Sequence, residues 1–85
     1  MYYDLETMDF GKDYKLELFF EDGHTGVVDF QEYISKGGVF IRLADKGYFR
    51  QAMIDKERGV LFWPDNLDVA PETLYHQATG QPLPA

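Results

Sequence analysis

The chain of 85 residues contains no cysteine, a single serine and two histidines. The missing cysteine excludes a disulfide scaffold and any thiolate zinc site. Ser35 has no predicted histidine neighbour, so a Ser-His-Asp triad has almost nothing to be built from. His24 falls in a predicted turn and His76 at the end of a predicted helix, where histidines are usually solvated. The sequence therefore predicts no catalytic residue, no cofactor and no metal site.

Long apolar runs and basic residues are also scarce. No stretch approaches the roughly 20 apolar residues that cross a membrane, and the amino terminus has neither a basic segment nor an apolar run, so we predict no signal peptide and a cytoplasmic location. Eight bases face 15 acids, for a net charge of −7. Because an acidic chain repels phosphate backbones, direct nucleic-acid binding is not expected.

The charge is unevenly placed along the chain. Residues 1–35 carry nine acids and two bases, residues 36–62 carry three acids and six bases, and residues 63–85 carry three acids alone. The bases of the middle segment can gather into a face that meets an acidic partner or a second copy of the chain; they are Lys36, Arg42, Lys46, Arg50, Lys56 and Arg58. The alternative is a solvated surface with scattered charge.

The first third of the sequence has strand patterns. Residues 14–20 alternate apolar and polar side chains, as in a half-buried antiparallel strand. Asp22-Gly23 favours a tight hairpin turn, and residues 25–30 form the returning strand. Residues 2–10 shift their alternation by one position, which predicts a strand that contains a bulge or ends early. These three strands are expected to form a meander.

The middle of the chain alternates short helical and strand signals. A helix over residues 31–35 is stopped by Gly37-Gly38. Residues 39–43 fit either a strand or a helical turn, and we favour the helical turn. Asp45 is expected to cap a short helix that contains Tyr48 and Phe49. The remaining predictions are strand four over residues 51–55, a hairpin turn over 56–59 and strand five over 60–63.

The only tryptophan, Trp63, ends this fifth strand, and Pro64 follows it. Proline lacks the N–H that a sheet requires and restricts the residue before it, so the strand stops there. Asp65-Asn66 then supplies a turn, since both side chains bond nearby backbone. Trp63 has two interpretations: a buried anchor between sheet and last helix, or a partly exposed shelf for a peptide or small ligand.

The last helix is predicted to start at Asp68 or Ala70, with Pro71 at or near its first turn. Residues 1–77 are expected to form one domain, and residues 78–85, which lack a periodic core, a flexible tail. The predicted fold class is therefore α+β: a five-stranded, mostly antiparallel sheet with short helices between strands three and four and at the carboxyl terminus.

The spacing of a set of residues along this chain resembles the pattern of the bacterial family called domain of unknown function 2442. They are Tyr14, Leu16, Leu18, Phe20, Asp22-Gly23, Val28-Asp29-Phe30, Gly38-Val39-Phe40, Leu43, Asp45, Phe49 and the segment Trp63-Pro64 with Asp68, Pro71 and Leu74-Tyr75. The resemblance covers about residues 5–76. One departure is Asp65-Asn66, where the family usually has Asn-Gly after Trp-Pro. The resemblance implies a small α+β domain whose role is unassigned.

The resemblance also implies possible partners. Members of that family occur alone or ahead of a helix-turn-helix domain, and some lie beside small proteins suspected to be toxins, so they are sometimes labelled antitoxins. We therefore predict a non-enzymatic protein-interaction module, with a toxin-like neighbour as partner and a homodimer as a companion hypothesis. Its candidate surface residues are Trp63, Asp65, Asp68, Tyr75, Arg42 and Arg50.

Two other function classes stay open at this point. A ligand-binding sensor would use a pocket near Trp63, Asp65, Asp68 and Tyr75. An enzyme would use paired carboxylates, which the chain contains but does not visibly place together. Asp65, Asn66 and Asp68 offer oxygen ligands, but they lack the spacing and the distal glutamate of a calcium loop. Turn formation and capping explain these three residues better.

Overall fold

The computed structural model of the protein describes residues 3–81. This part of the chain folds into two three-stranded antiparallel sheets, short α-helices and one 3₁₀ helix. The strands are β1 Leu5–Phe10, β2 Lys15–Phe20, β3 Thr25–Asp29, β4 Met53–Asp55, β5 Val60–Trp63 and β6 Leu67–Val69. The helices are α1 Gln31–Lys36, the 3₁₀ helix Gly38–Ala44, α2 Lys46–Phe49 and α3 Pro71–Thr79.

The first sheet has the order β1-β2-β3, which confirms the predicted meander. Leu16, Leu18 and Phe20 are buried on its inner face, and the side chains between them lie on its outer face. The register between β1 and β2 shifts between Leu5 and Thr7, so the predicted irregularity is a bulge.

The prediction of one five-stranded sheet is wrong, because β4, β5 and β6 form a second sheet of their own. The two sheets meet where the Leu5 N–H donates to the Gly59 carbonyl, at 3.0 Å. Gly59 has a φ of 66°, as the predicted hairpin turn requires, and a Cβ at this position would collide with Asp4. This hydrogen bond links the two sheets, but the strands of one sheet do not pair with the strands of the other.

The sixth strand, β6, was missed because the turn before it does not lead into a helix. Asp65 and Asn66 both adopt positive φ, 67° and 64°, and return the chain antiparallel to β5. Leu67 and Val69 then point inward and are buried, with Asp68 exposed between them. The helix begins only after Ala70, its N-cap, with Pro71 at the first position, so the later of the two predicted starts is correct.

The core lies between the inner faces of the two sheets and the helices. Trp63 lies within this core, and its side chain is 0% exposed. Its indole N–H donates to the Phe49 carbonyl at 2.9 Å, and its ring centroid lies 5.6 Å from that of Phe30. The structure thus confirms the core interpretation of Trp63, and it leaves the indole no exposed edge for a ligand.

The segment between the sheets follows the predicted capping pattern. Gly37 is the C-cap of α1, and residues 39–43 are helical and not a strand. Phe40 and Leu43 are three residues apart, so in a 3₁₀ helix they share one face, and both turn toward the core. Asp45 caps α2 by accepting from the backbone N–H groups of the second and third helical residues.

The last helix, α3, packs against β3. A Cβ at Gly26 would fall on the carbonyl oxygen of Ala78, so glycine allows this close approach. The helix continues through Thr79, two residues past the domain end predicted at residue 77, and Gly80 is its left-handed C-cap. Residues 1, 2 and 82–85 lie outside the described residues, and the range 82–85 is part of the predicted tail. Within residues 3–81, no helix is long and apolar enough to cross a membrane.

Candidate functional site

The turn between β5 and β6 lies against the 3₁₀ helix. Arg42 of that helix donates to Asp65 Oδ2 at 2.9 Å, and its guanidinium sits 4.4 Å from the centroid of the Tyr48 ring. The bond from Asp65 raises the pKa of Arg42 above its usual value. Tyr48 in turn donates its hydroxyl to the Pro64 carbonyl at 2.7 Å. These contacts hold the turn, and the strand after it, in place beside the 3₁₀ helix.

A first cavity opens between the 3₁₀ helix and β6, and we call it the inner cavity. Its volume is about 290 Å³, and it is lined by Val39, Phe40, Arg42, Asp65, Asn66, Leu67 and Asp68. Leu67 lies opposite the buried Trp63 in the strand pairing, so its side chain is on the inner face of the second sheet. The lining combines three apolar residues with the Arg42–Asp65 ion pair, Asn66 and Asp68, so the cavity suits an apolar side chain with a polar group nearby.

A second cavity, the outer cavity, lies on the opposite face of the same sheet. Its volume is about 200 Å³, and it is lined by Asp55, Arg58, Val60, Phe62, Asn66 and Asp68. Cross-strand pairing puts Phe62 directly opposite Asp68. Arg58 reaches toward both carboxylates, but its nitrogens stay 3.9 Å from Asp55 and 4.0 Å from Asp68. Such long, exposed pairs contribute little, so neither carboxylate is firmly neutralised.

Strand β6 separates these two cavities and has a free edge. It pairs with β5 on one side only, and the part of the chain between residues 3 and 81 supplies no strand on the other. Of the other edge strands, β3 lies against α3, and the start of β1 lies next to β4. Among the described strands, β6 therefore has one unpaired edge, and the inner cavity lies between this strand and the 3₁₀ helix.

Two branched apolar side chains of the 3₁₀ helix are exposed. Val39 is 66% exposed and Ile41 is 60% exposed, the two highest values among the large apolar residues that the structure describes as exposed. Of these two, Val39 lines the inner cavity. We call Val39, the two cavities and the β6 edge together the β6 surface.

Three of the six predicted site residues meet at the β6 surface. Arg42, Asp65 and Asp68 line the inner cavity together, and Asp68 lines the outer one too. The other three lie elsewhere. Trp63 is in the core, Arg50 lies 5.5 Å from the Phe10 ring, and Tyr75 is buried in α3.

Tyr75 belongs to a polar cluster that the sequence does not reveal. Its hydroxyl donates to Asp22 Oδ2 at 2.5 Å and lies 3.1 Å from Nδ1 of His24. This bond, together with the backbone N–H of His24, lowers the pKa of Asp22, and it raises the pKa of Tyr75 to about 12. The cluster ties the β2–β3 turn to α3, so Tyr75 and His24 have a structural role there.

The predicted basic face is broken up by partners within the fold. Four of the bases lie over aromatic rings, at 4.4 to 5.9 Å from the ring centroids: Lys36 on Tyr33, Arg42 on Tyr48, Lys46 on Tyr14 and Arg50 on Phe10. Arg42, Lys46 and Arg58 also have acidic neighbours within 4.0 Å. These bases therefore serve first as amphipathic covers for the aromatic rings and as ion-pair partners.

Other residues of the β6 surface were missed because the strand itself was missed. Asn66, Leu67 and Phe62 converge on one edge only when the chain reverses after Asp65. The signal was available in part, since Asp and Asn tolerate the positive φ that hairpin turns need. Within residues 3–81, no group of three histidine or acidic side chains is placed to hold a metal ion.

Comparison with known proteins places the chain in a family. A family model described as "Protein of unknown function (DUF2442)" matches residues 6–80. No curated protein and no solved structure matches the chain. The family match confirms the resemblance seen in the spacing of strand, turn and helix residues. Because the match covers far more than half of the 85 residues, the chain belongs to the family of proteins of unknown function DUF2442.

Proposed function

We propose that this domain is a non-enzymatic protein-binding module of the bacterial cytoplasm, and that the β6 surface is its docking site. The observation that carries this proposal is the exposure of Val39, 66%, at the inner cavity, next to a second cavity and an unpaired strand edge. Burying an aliphatic side chain of this size is worth about 1.5–3 kcal/mol. A partner that covers Val39 would therefore gain part of its binding free energy there.

The arrangement of the cavities favours a protein partner over a metabolite. The two cavities, of about 290 and 200 Å³, are at or below the lower end of the roughly 300–1,000 Å³ usual for sites of drug-sized ligands. They lie on opposite faces of one strand, so a partner that presents several side chains at once fits them better than one compact ligand.

The charge of the domain indicates which partners it would attract. The net charge is −7 at pH 7, so association with a basic protein would be accelerated by long-range attraction. Genes for proteins of this family lie in some cases beside genes for small proteins suspected to be toxins. We propose that the partner is the product of the adjacent gene and that this domain restrains it as an antitoxin would.

The experiment is a titration of the purified product of the adjacent gene into the full chain, measured by calorimetry. The test variant is Val39→Asp, and the matched control is Val27→Asp, which places the same charge at a valine that is 53% exposed on β3, outside both cavities. We expect the Val39 variant to lose affinity by at least about tenfold, since it loses apolar burial and gains a charge in the interface, and the Val27 variant to bind like the wild type.

Equal affinities for the two variants would show that docking takes place on another surface. Light scattering of the domain alone tests the homodimer proposal: a dimer that Val39→Asp dissociates and Val27→Asp preserves would make a second copy the occupant. A domain that stays monomeric, binds no protein and is stabilised by one metabolite in a thermal screen would refute the proposal in favour of a sensor.

A further inference from the structure

Strand β6 presents its backbone in a way that a second chain can use. In an antiparallel strand, successive residues alternate between hydrogen bonding to one neighbour and to the other. Among the strands within residues 3–81, only β5 pairs with Leu67, Asp68 and Val69. An extended peptide laid along the other side would continue the sheet as a fourth strand. Because β6 has only three residues, the ladder alone would be weak, so side chains must supply most of the affinity.

The two cavities are placed where the side chains of an added strand would point. Successive side chains of a strand alternate between the faces of a sheet. Leu67 lines the inner cavity and Phe62 lines the outer cavity, on opposite faces of the sheet, and Asp68 lines both cavities. A peptide at this edge would therefore send every second side chain toward the inner cavity and the intervening ones toward the outer cavity.

The chemistry of the cavities differs, and the difference defines the peptide. The inner cavity has an apolar wall of Val39, Phe40 and Leu67. The outer cavity is lined by Phe62 and by two acidic residues, Asp55 and Asp68. An aromatic ring near carboxylates suits a guanidinium or ammonium group with an aliphatic stem.

Arg58 shows how such a group would fit. Its two terminal nitrogens lie 3.9 Å from Asp55 and 4.0 Å from Asp68, and its side chain is 66% exposed. At these distances the guanidinium is near both carboxylates without forming a close hydrogen bond to either. An incoming arginine could approach the carboxylates more closely than Arg58 does, and Arg58 is exposed enough to swing aside.

We infer that the partner of this domain binds as an extended strand along β6, with an apolar side chain in the inner cavity and a basic side chain in the outer cavity. This inference rests on the proposed function and adds the class of partner to it. The ligand is a protein segment of alternating apolar and basic residues. Its backbone pairs with residues 67–69, and its charge complements the carboxylates of Asp55 and Asp68.

The probe is an octapeptide of alternating valine and arginine, titrated into the ¹⁵N-labelled full chain and followed by NMR. The control peptide has the same composition, with its valines and its arginines each in one block. We expect the alternating peptide to shift the backbone amides of Leu67–Val69 and to bind more tightly than the block peptide. Two N-methylated peptides test the pairing. Methylating the backbone nitrogens along one edge of the peptide should abolish binding, whereas methylating those along the other edge should leave binding unchanged, because only one edge meets β6.

Two pairs of charge variants test the outer cavity. Asp68→Asn should lower the affinity for the alternating peptide by up to about fivefold, the upper limit for an exposed ion pair. Glu17→Gln removes the same charge from the first sheet and should change the affinity little. Arg58→Gln should strengthen binding because it removes a competing guanidinium. Lys15→Gln removes an equal charge from β2 and serves as its control.

The outcomes separate the two proposals. If the adjacent gene product binds at Val39 but the amides of Leu67–Val69 do not respond to the peptide, strand addition is wrong and the docking surface stands. Equal effects of both N-methylated peptides, or of Asp68→Asn and Glu17→Gln, would also refute the inference, since they indicate attraction by net charge alone. If Val39→Asp and Val27→Asp bind the gene product equally, the docking surface itself fails.

Discussion

Replacing Trp63 by alanine tests the centre of the fold. Trp63 is 0% exposed and packs against Phe30 and Phe49, and its indole N–H donates to the Phe49 carbonyl at 2.9 Å. Removing a buried aromatic side chain costs about 3–5 kcal/mol, and a domain of this size has about 5–15 kcal/mol in all. We therefore expect Trp63→Ala to lower the melting temperature by at least about 12 °C, at about 4–8 °C per kcal/mol, or to leave the domain unfolded.

A second variant tests the hydrogen bond of the indole. Trp63→Phe keeps a smaller aromatic ring but removes the indole N–H, so the Phe49 carbonyl keeps only the Ala52 N–H as a donor, at 3.2 Å. Losing one such hydrogen bond costs about 0.5–1.5 kcal/mol. Urea unfolding followed by far-ultraviolet circular dichroism measures both variants without relying on tryptophan fluorescence. Phe10→Ala is the control, since Phe10 is 37% exposed and should lose less than half as much. A Trp63→Ala protein that unfolds within about 1 kcal/mol of the wild type would refute the assignment of Trp63 as the core anchor.

Three further predictions follow from the packing of α3. The pKa of Asp22 lies below its ordinary 3.8 because Tyr75 donates to it, so its stabilising effect is present above about pH 4 and lost as the pH falls; Asp22→Asn should flatten the acid limb of stability measured from pH 5 to 3. The pKa of Tyr75 rises from 10.0 to about 12, so the stabilisation that its hydrogen bond gives the fold is complete below pH 10 and lost as the pH rises toward 12. Tyr75→Phe should therefore flatten the alkaline limb of stability, and in the wild type the phenolate absorbance of Tyr75 should appear only near pH 12. Gly26→Ala should destabilise the domain in a urea titration because its Cβ would meet the Ala78 carbonyl of α3. Gly11→Ala, whose Cβ would meet no atom closer than 3.4 Å, should change the stability little.

Much of the local structure was predictable because it depends on neighbouring residues. The alternation of residues 14–20, the Asp22-Gly23 turn and the Asp45 cap each act over a few positions, and all three are present in the fold. Part of the candidate site was predictable as well. Asp65 follows a strand and a proline, which marks it as a turn residue near the surface, whereas Asp68 was expected in a turn or cap and lies in β6.

The division into two sheets and the β6 surface were decided by tertiary structure. The turn chemistry of Asp65-Asn66 fits a hairpin as well as a helix start, and burial of Leu67 and Val69 against the core selects the strand. The Arg42–Asp65 bond joins residues 23 positions apart, and the Tyr75–Asp22 bond joins residues 53 apart. Local patterns along the chain determine strands, turns and caps, whereas the pairing of distant segments determines which side chains share a surface, because only the packed core brings those segments together.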